Sequence, residues 1–443
     1  MSGILFSVFS GQASAIFDDF LFDINEKYVR NKNGEKNYHP SVYIIETQWD
    51  NGGHTGYLQD FNTWLDDQDK FLEIFGGNFK IPPPMGDLKS QISRWSRHLI
   101  KKDFGNTISS LIENRYDNID DTIHELEVLI NTLKRIQPDI FILEERINFF
   151  EIYSQLYKDF SLITSLMIKH SVGNLFLNFL YYYSFLLVDS VETIYLHHHE
   201  AFFNFLKDLS LIPRGIRIEF LIDGRYNLSG TSHDNVKILS EKFFDEYPSN
   251  LPVLLESYSL KSIEGNDFEN KFNKLLENSD LVVIPPGSLS NWMPIINKFY
   301  SELKSKTIIW FVNAFTHYSE ESLENQIKYL HSLGLNPIIV APKLNNAFDE
   351  LNEDEREIFE RSYLAQGKKS IDFNNEFKNF KNLKVLRAIP LKELEPGDGG
   401  IKYSPHFVNF FLTNLSEKIN YRFNDEFILQ IALEMIEEYK VKI

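Results

Sequence analysis

Seven short apolar runs constrain this 443-residue chain more than any other feature. They are ILFSVF from Ile4, SVYIIET from Ser41, IRIEFLI from Ile216, DLVVI from Asp280, TIIWFVN from Thr307, NPIIVA from Asn336 and KVLRAI from Lys384. Each reads as a strand, and their intervals suit a parallel sheet. Helical patterns lie between several of them, such as Ser319 to Leu333 with Leu323, Ile327 and Leu330 on one face. Alternating strands and helices predict an α/β fold: a Rossmann-like, doubly wound, mostly parallel sheet whose ligands bind beyond the carboxyl ends of the strands.

Between about Lys89 and Leu211 the strand signal disappears. The stretch Ile119 to Ile136 carries Ile119, Ile123, Leu126, Leu129 and Leu133 at helical spacing. The predicted organisation is therefore an α/β nucleotide-binding core from 1–88 and 212–443 with a helical insert at 89–211. The run Val172 to Val188 falls short of a membrane span and contains Asn174, Asn178 and three tyrosines, so it reads as a buried helix. A charged stretch from Asn345 to Leu383 reads as a surface helix and loop.

Lys and Arg number 45 against 63 Asp and Glu, a formal charge of -18, which argues against nucleic acid or an anionic membrane as partner. No cysteine is present, so disulfides, thiolate nucleophiles and Cys-ligated zinc are excluded. That composition is compatible with a reducing cytoplasm, the expected location. The opening MSGILFSVFSG has neither a basic n-region nor a small-residue cleavage site and does not read as a signal peptide. An acidic, aromatic-rich chain of this kind suits a monomer or a homodimer.

Several motifs fall at predicted strand ends. In SDLVVIPPGSLSNWMP, Ser279 to Pro294, a buried strand breaks at Pro285, Pro286, Gly287 and Ser288 before a helix. Unpaired N–H groups at such a helix start suit a phosphate, making Gly287 and Ser288 nucleotide-binding candidates. After the second strand, WDNGGHTGYLQD presents Asp50 and Asn51 ahead of Gly52 and Gly53; glycines allow close backbone approach, and the acid could hold a metal or hydroxyl, although the pattern also suits a turn. IPPPMGDLKSQISRWS places Asp87 at a helix start, where an Asp is commonly a cap. Asn174, at the start of an apolar helix, admits the same structural reading. WFVNAFTHY ends a strand with Asn313 and Thr316. The first strand leads to Gly11, in the position of a phosphate loop but without G-x-G-x-x-G. The HHH at 197–199 and TSHD at 231–234 carry little weight as metal or triad signals.

In their order, DNGGHTG, PPPMGDL, GNL, DLVVIPPGSL and NAFT resemble the motifs of the superfamily of 2-phospho-L-lactate transferase (CofD-like) and the gluconeogenesis-factor (YvcK-like) proteins. ENRYD, ERSYLAQGKKSIDF and YSPHF look like further segments of that family. The departures are Asn51 in place of the second acid of a D-D pair, SGQASA in place of a glycine cluster, and IRIEFLID in place of P-x-T. The resemblance implies a nucleotide-phosphate site at the sheet edge. In the transferase branch a phosphorylated organic acid moves from a nucleotide diphosphate donor to an acceptor hydroxyl, with Mg2+; in the other branch a UDP-sugar is bound without firm catalysis. Asp50 and Asp87 would then be catalytic and metal-binding. Gly11, Asn51, Gly52, Gly53, Asn174, Gly287, Ser288, Asn313 and Thr316 would contact nucleotide or substrate.

Overall fold

In the computed structural model, the described residues are 3–8, 13–31, 41–46, 53–75, 81–141, 147–164, 168–187, 191–220, 226–239, 252–262, 268–313, 315–317, 319–342, 353, 356–357, 361, 368–380, 383–388, 390–393, 400–403, 408–409 and 412–413. The seven apolar runs form the seven strands of one sheet: β1 (Gly3–Val8), β2 (Ser41–Glu46), β3 (Ile216–Phe220), β4 (Leu281–Ile284), β5 (Thr307–Phe311), β6 (Ile338–Pro342) and β7 (Val385–Ala388). Their spatial order is β7-β6-β5-β4-β1-β2-β3, and every neighbouring pair is parallel. Ile4 stands opposite both Val42 and Leu281, which fixes β1 between β2 and β4. The chain thus runs outward from β1 to β2 and β3 on one side and from β4 to β7 on the other.

Parallel strands must be covered on both faces, and strand alternation supplies both coverings. Val42, Ile44, Leu281, Val283, Ile309, Phe311, Ile338 and Val340 enter one core; Tyr43, Ile45, Val282, Ile284, Trp310, Ile339 and Ala341 enter the other. The helices against the first face are α1 (Asp18–Asn31), α2 (Gly53–Leu65), α3 (Gly86–Leu99), α4 (Lys102–Glu113), α5 (Ile119–Ile136), α6 (Phe149–Thr164), α7 (Val172–Leu186) and α8 (Val191–Asp208). The helical stretch shares one continuous core with the sheet. The second face is covered by α9 (Phe268–Glu277), α10 (Met293–Leu303) and α11 (Leu323–Ser332).

At α7 the apolar run expected to be a buried helix is buried from Val172 to Phe185. Its close approach to its neighbours depends on Gly173, where a Cβ would lie 2.5 Å from the Ile112 carbonyl oxygen and 2.6 Å from Lys89 Cγ. No helix among the described residues is long and apolar enough to cross a membrane. An antiparallel sheet of Tyr226–Thr231 with Lys237–Leu239 and Ser259–Ser262 was not predicted. Its strands mix Ser, Asn, Gly and Lys with few apolar residues and carry no strong periodic signal. Most of the charged 345–383 stretch lies outside the described residues; within it Lys368–Ser370 is a strand and Phe373–Phe377 a short helix.

Candidate functional site

The carboxyl end of β2 opens the first half of the site. Asp50, Asn51 and Gly52 lie outside the described residues, and Gly53 is the first residue of α2. His54, in that first turn, is buried and fastened to the start of α7. Its Nδ1 accepts from the Ser171 backbone N–H at 3.2 Å, so the ring proton sits on Nε2 and is donated to the Tyr157 hydroxyl at 2.8 Å. Tyr157 in turn donates to His170 Nδ1 at 2.6 Å. Burial, followed by the nearby His170, Arg115 and Lys89, lowers the His54 pKa well below its usual range and keeps it neutral.

The Asp87 loop comes next. The residue preceding α3, Met85, makes no side-chain cap, and Asp87 stands half-buried inside the first turn. Capping therefore does not account for Asp87. Beside it lies Glu46, the last residue of β2, which is 1% exposed and accepts a hydrogen bond from Gln91 Nε2 at 3.0 Å. Burial raises the Glu46 pKa well above the usual carboxylate range, and the charge of Asp87 raises it further. Sequence reasoning passed over Glu46 as the end of a strand; an acid closing the otherwise apolar YIIE was the available signal. Elsewhere α3 is anchored by Arg94 Nε and Trp95 Nε1, each donating to Asp18 at 2.8 Å. Asp18 and Asp19 occupy the first turn of α1, and Gly11 lies outside the described residues.

Asn174 completes this half. Ser171 caps α7 by accepting from Asn174 N at 3.3 Å, so the Asn174 side chain is released from capping and donates through Nδ2 to Thr55 Oγ1 at 3.3 Å. The paired strands Arg115–Tyr116 and His170–Ser171 hold that helix start in place. Thr55, Leu58, Gln59, Pro83, Pro84, Met85, Asn174 and Asn178 line a partly open cavity of about 10 Å³. Gln59 donates through Nε2 to the Pro82 carbonyl at 3.0 Å. Gln59 Oε1 and Asn174 Oδ1 are both buried without a hydrogen-bond partner. Gln59 lies within the stretch WDNGGHTGYLQD but carries no signal of its own there, and its bond to Pro82 is visible only from the fold.

The second half lies beyond β4, two strands from β2. Pro285 and Pro286 are buried, and Gly287 and Ser288 half-buried. Ser288 caps a single 3-10 turn, Leu289–Asn291, through its bond from Ser290 N at 3.2 Å; α10 starts only after that turn. The Ser288 hydroxyl also bonds the Glu320 carboxylate, whose other oxygen receives Thr316 Oγ1 at 2.8 Å. Asn313 is half-buried at the end of β5, and Glu320 was not anticipated. The TSHD stretch forms no triad: His233 Nε2 lies 2.5 Å from Glu321 Oε1, while Ser232 bonds Asp234. Among the described residues, no group of three or more His, Asp or Glu is arranged to hold a metal.

These features define an α/β protein with a parallel seven-stranded sheet, helices packed on it, and polar side chains gathered at its carboxyl edge. The fold is similar to that of a UPF0052-family protein, BH3568 from Bacillus halodurans, seen in two crystal structures. One has a TM-score of 0.53 at 13% identity, covering 92% of this chain and 98% of that one. The other has a TM-score of 0.54 at 12% identity, covering 95% and 99%. No family model matches the chain, and no curated protein matches it.

Proposed function

We propose that the chain is a nucleotide-phosphate-binding protein of the CofD-like and YvcK-like kind, built on a doubly wound, Rossmann-like core of residues 1–88 and 212–443 with the helical insert 89–211 over the ligand. The observation that carries this reading is the convergence of three motifs distant in sequence. Thr55 after DNGG, the Pro83–Met85 loop before Asp87, and Asn174 of GNL meet around one cavity.

The favoured reaction is transfer of a phosphorylated organic acid from a nucleotide diphosphate donor to an acceptor hydroxyl: the hydroxyl oxygen bonds the phosphorus that carries the acid, the diphosphate P–O bond breaks, and the nucleoside monophosphate leaves. Backbone amides at Gly287 and Ser288 would hold phosphate at one end. Asp87 would orient the attacking hydroxyl and take its proton. Glu46, buried beside it and holding its own proton, keeps a second negative charge away from Asp87. The donors at this edge are hard oxygens, the type that suits Mg2+. Asp50 and Asp87 would hold that ion, which when bound offsets charge on the transferred phosphoryl group. Gly11, Asn51, Gly52 and Gly53 would line the phosphate path, with Asn313 and Thr316 reading ligand hydroxyls.

A non-catalytic UDP-sugar-binding regulator is the second reading, favoured by Asn51 in place of an acid. Thermal-shift binding with GDP, GTP, UDP, UDP-N-acetylglucosamine and NAD, with and without Mg2+, tests both. A ligand at about a hundred times its Kd stabilises by about 2.7 kcal/mol. A Mg2+-dependent shift with a guanine nucleotide supports the transferase, a metal-independent shift with the UDP-sugar supports the regulator, and no shift with any refutes both.

A further inference from the structure

We infer that His54, Tyr157 and His170 form a one-way hydrogen-bonded latch between the DNGGHTG and GNL segments, which opens when His170 takes up a proton and so weakens ligand binding on acidification. This gives a regulation to the site proposed above, and the ligand part rests on that reading. The direction of the chain follows from its first donor. The Ser171 backbone N–H can only donate, so His54 Nδ1 must accept, and the ring proton lies on Nε2, facing the Tyr157 hydroxyl 2.8 Å away. Tyr157 then donates its own proton to His170 Nδ1 at 2.6 Å, which leaves the His170 proton on Nε2. What the latch holds is the site itself. His54 sits in the first turn of α2, next to Gly53, and Ser171 caps the turn of α7 that carries Asn174.

The chain has no place for a further proton. One added at His170 Nδ1 would set two N–H donors against the Tyr157 oxygen, and the Tyr157 hydroxyl makes no other hydrogen bond among the described residues. Tyr57, stacked on His54, has its hydroxyl engaged with Ser161 at 2.6 Å. His54, Tyr157 and His170 are 3%, 0% and 3% exposed, so either the displaced O–H stays buried without an acceptor or His170 withdraws. The surrounding charges send the proton to His170 first. Burial lowers both histidine pKa values, but Asp117, just after the Arg115–Tyr116 strand, opposes it at His170, whereas His170, Arg115 and Lys89 deepen it at His54. Of the other groups packed here, Lys89 of α3 is paired with Glu113 of α4 at 3.0 Å, Tyr153 of α6 is a buried phenol, and Glu125 of α5 bonds Tyr116, the strand partner of His170. The unfolded chain takes the His170 proton near the ordinary value of 6.5, so the closed latch is fully favoured above that value and is lost as pH falls toward the lower folded one.

Amide hydrogen exchange, corrected for its intrinsic pH dependence and run on the full chain at about pH 7.5 and about pH 5.5, reads the latch. His170→Asn offers an acceptor near the Nδ1 position but does not titrate, and Tyr157→Phe removes the hydroxyl with little change of shape. In the wild type, exchange at residues 53–57 and 171–174 should quicken by about tenfold or more at the lower pH; in His170→Asn it should change by less than about twofold, and in Tyr157→Phe it should be fast at both. Calorimetric titration with UDP-N-acetylglucosamine, whose phosphates do not titrate in this range, should show about tenfold weaker binding at the lower pH in the wild type and less than about twofold change in His170→Asn. Exchange in the wild type that ignores pH, an unaltered pH response in His170→Asn, or slow exchange in Tyr157→Phe would overturn the latch. The first two comparisons decide it even where Tyr157→Phe fails to fold. Binding that ignores pH while exchange responds would overturn its link to the ligand. Failure of the probe to bind at either pH, beside the expected exchange, would remove the ligand reading and leave the latch standing, so the two fail separately.

Discussion

The two halves of the sheet edge treat their polar groups in opposite ways. Around Ser288, the hydroxyls of Ser288 and Thr316 both bond the Glu320 carboxylate, and the local hydrogen-bonding capacity is largely used within the protein. Around Asn174, Gln59 Oε1 is buried without a hydrogen-bond partner, and the Asn174 side-chain amide meets only the Thr55 hydroxyl. The difference teaches that residues at similar loop positions need not be equally committed within the protein: one half is internally satisfied, the other leaves the Gln59 acceptor without a partner.

The largest effect belongs to the helical half. Gly173→Ala would push a methyl into the Ile112 carbonyl and the Lys89 stem, and should cost about 1–3 kcal/mol in urea unfolding. An unchanged midpoint would break the claim that close packing sets the position of Asn174.

A pH series on Glu46→Gln sharpens the comparison further. The folded pKa of Glu46 is raised, so the folded state holds a proton that the unfolded chain releases near its ordinary value of 4.5. That contribution is complete below the unfolded value and is lost as pH rises through the folded one. The variant should therefore gain on the wild type by up to about 1.4 kcal/mol per pH unit in that window. His54 acts with the opposite sign, because its lowered pKa makes the fold lose stability as pH falls below about 6.5, and comparing the two chains cancels that slope. Parallel pH curves for the two chains would contradict the buried neutral Glu46.

In the satisfied half, Thr316→Val removes one bond to Glu320 and should cost about 1 kcal/mol without ligand, read by thermal unfolding. No change would mean that the hydroxyl is not committed there. Smallest is Lys328→Ala, which breaks the solvent-facing pair with Glu324 and should leave the unfolding midpoint nearly unchanged in the same assay.

The inner strands were legible as near-continuous apolar runs, and the edge strand β3 by the alternation of buried Ile216, Ile218 and Phe220 with the more exposed Arg217 and Glu219. Motif order drew attention to Asp87 and Asn174, but their standing clear of the cap positions was not readable, since that depends on Met85 and Ser171 occupying those positions instead. Glu46, Gln59 and Glu320 were missed for a common reason. Each is one polar residue in a strand, helix or loop, and its meaning comes from partners at Gln91, Pro82 and Thr316 that only the fold supplies.

Amide hydrogen exchange with UDP-N-acetylglucosamine and Mg2+ tests the central claim most directly. Slowed exchange should appear at residues 53–59 and 171–174, on the half that holds Gln59, together with the loop after β4. Protection confined to residues 285–292, with the α2 and α7 starts unchanged, would contradict it.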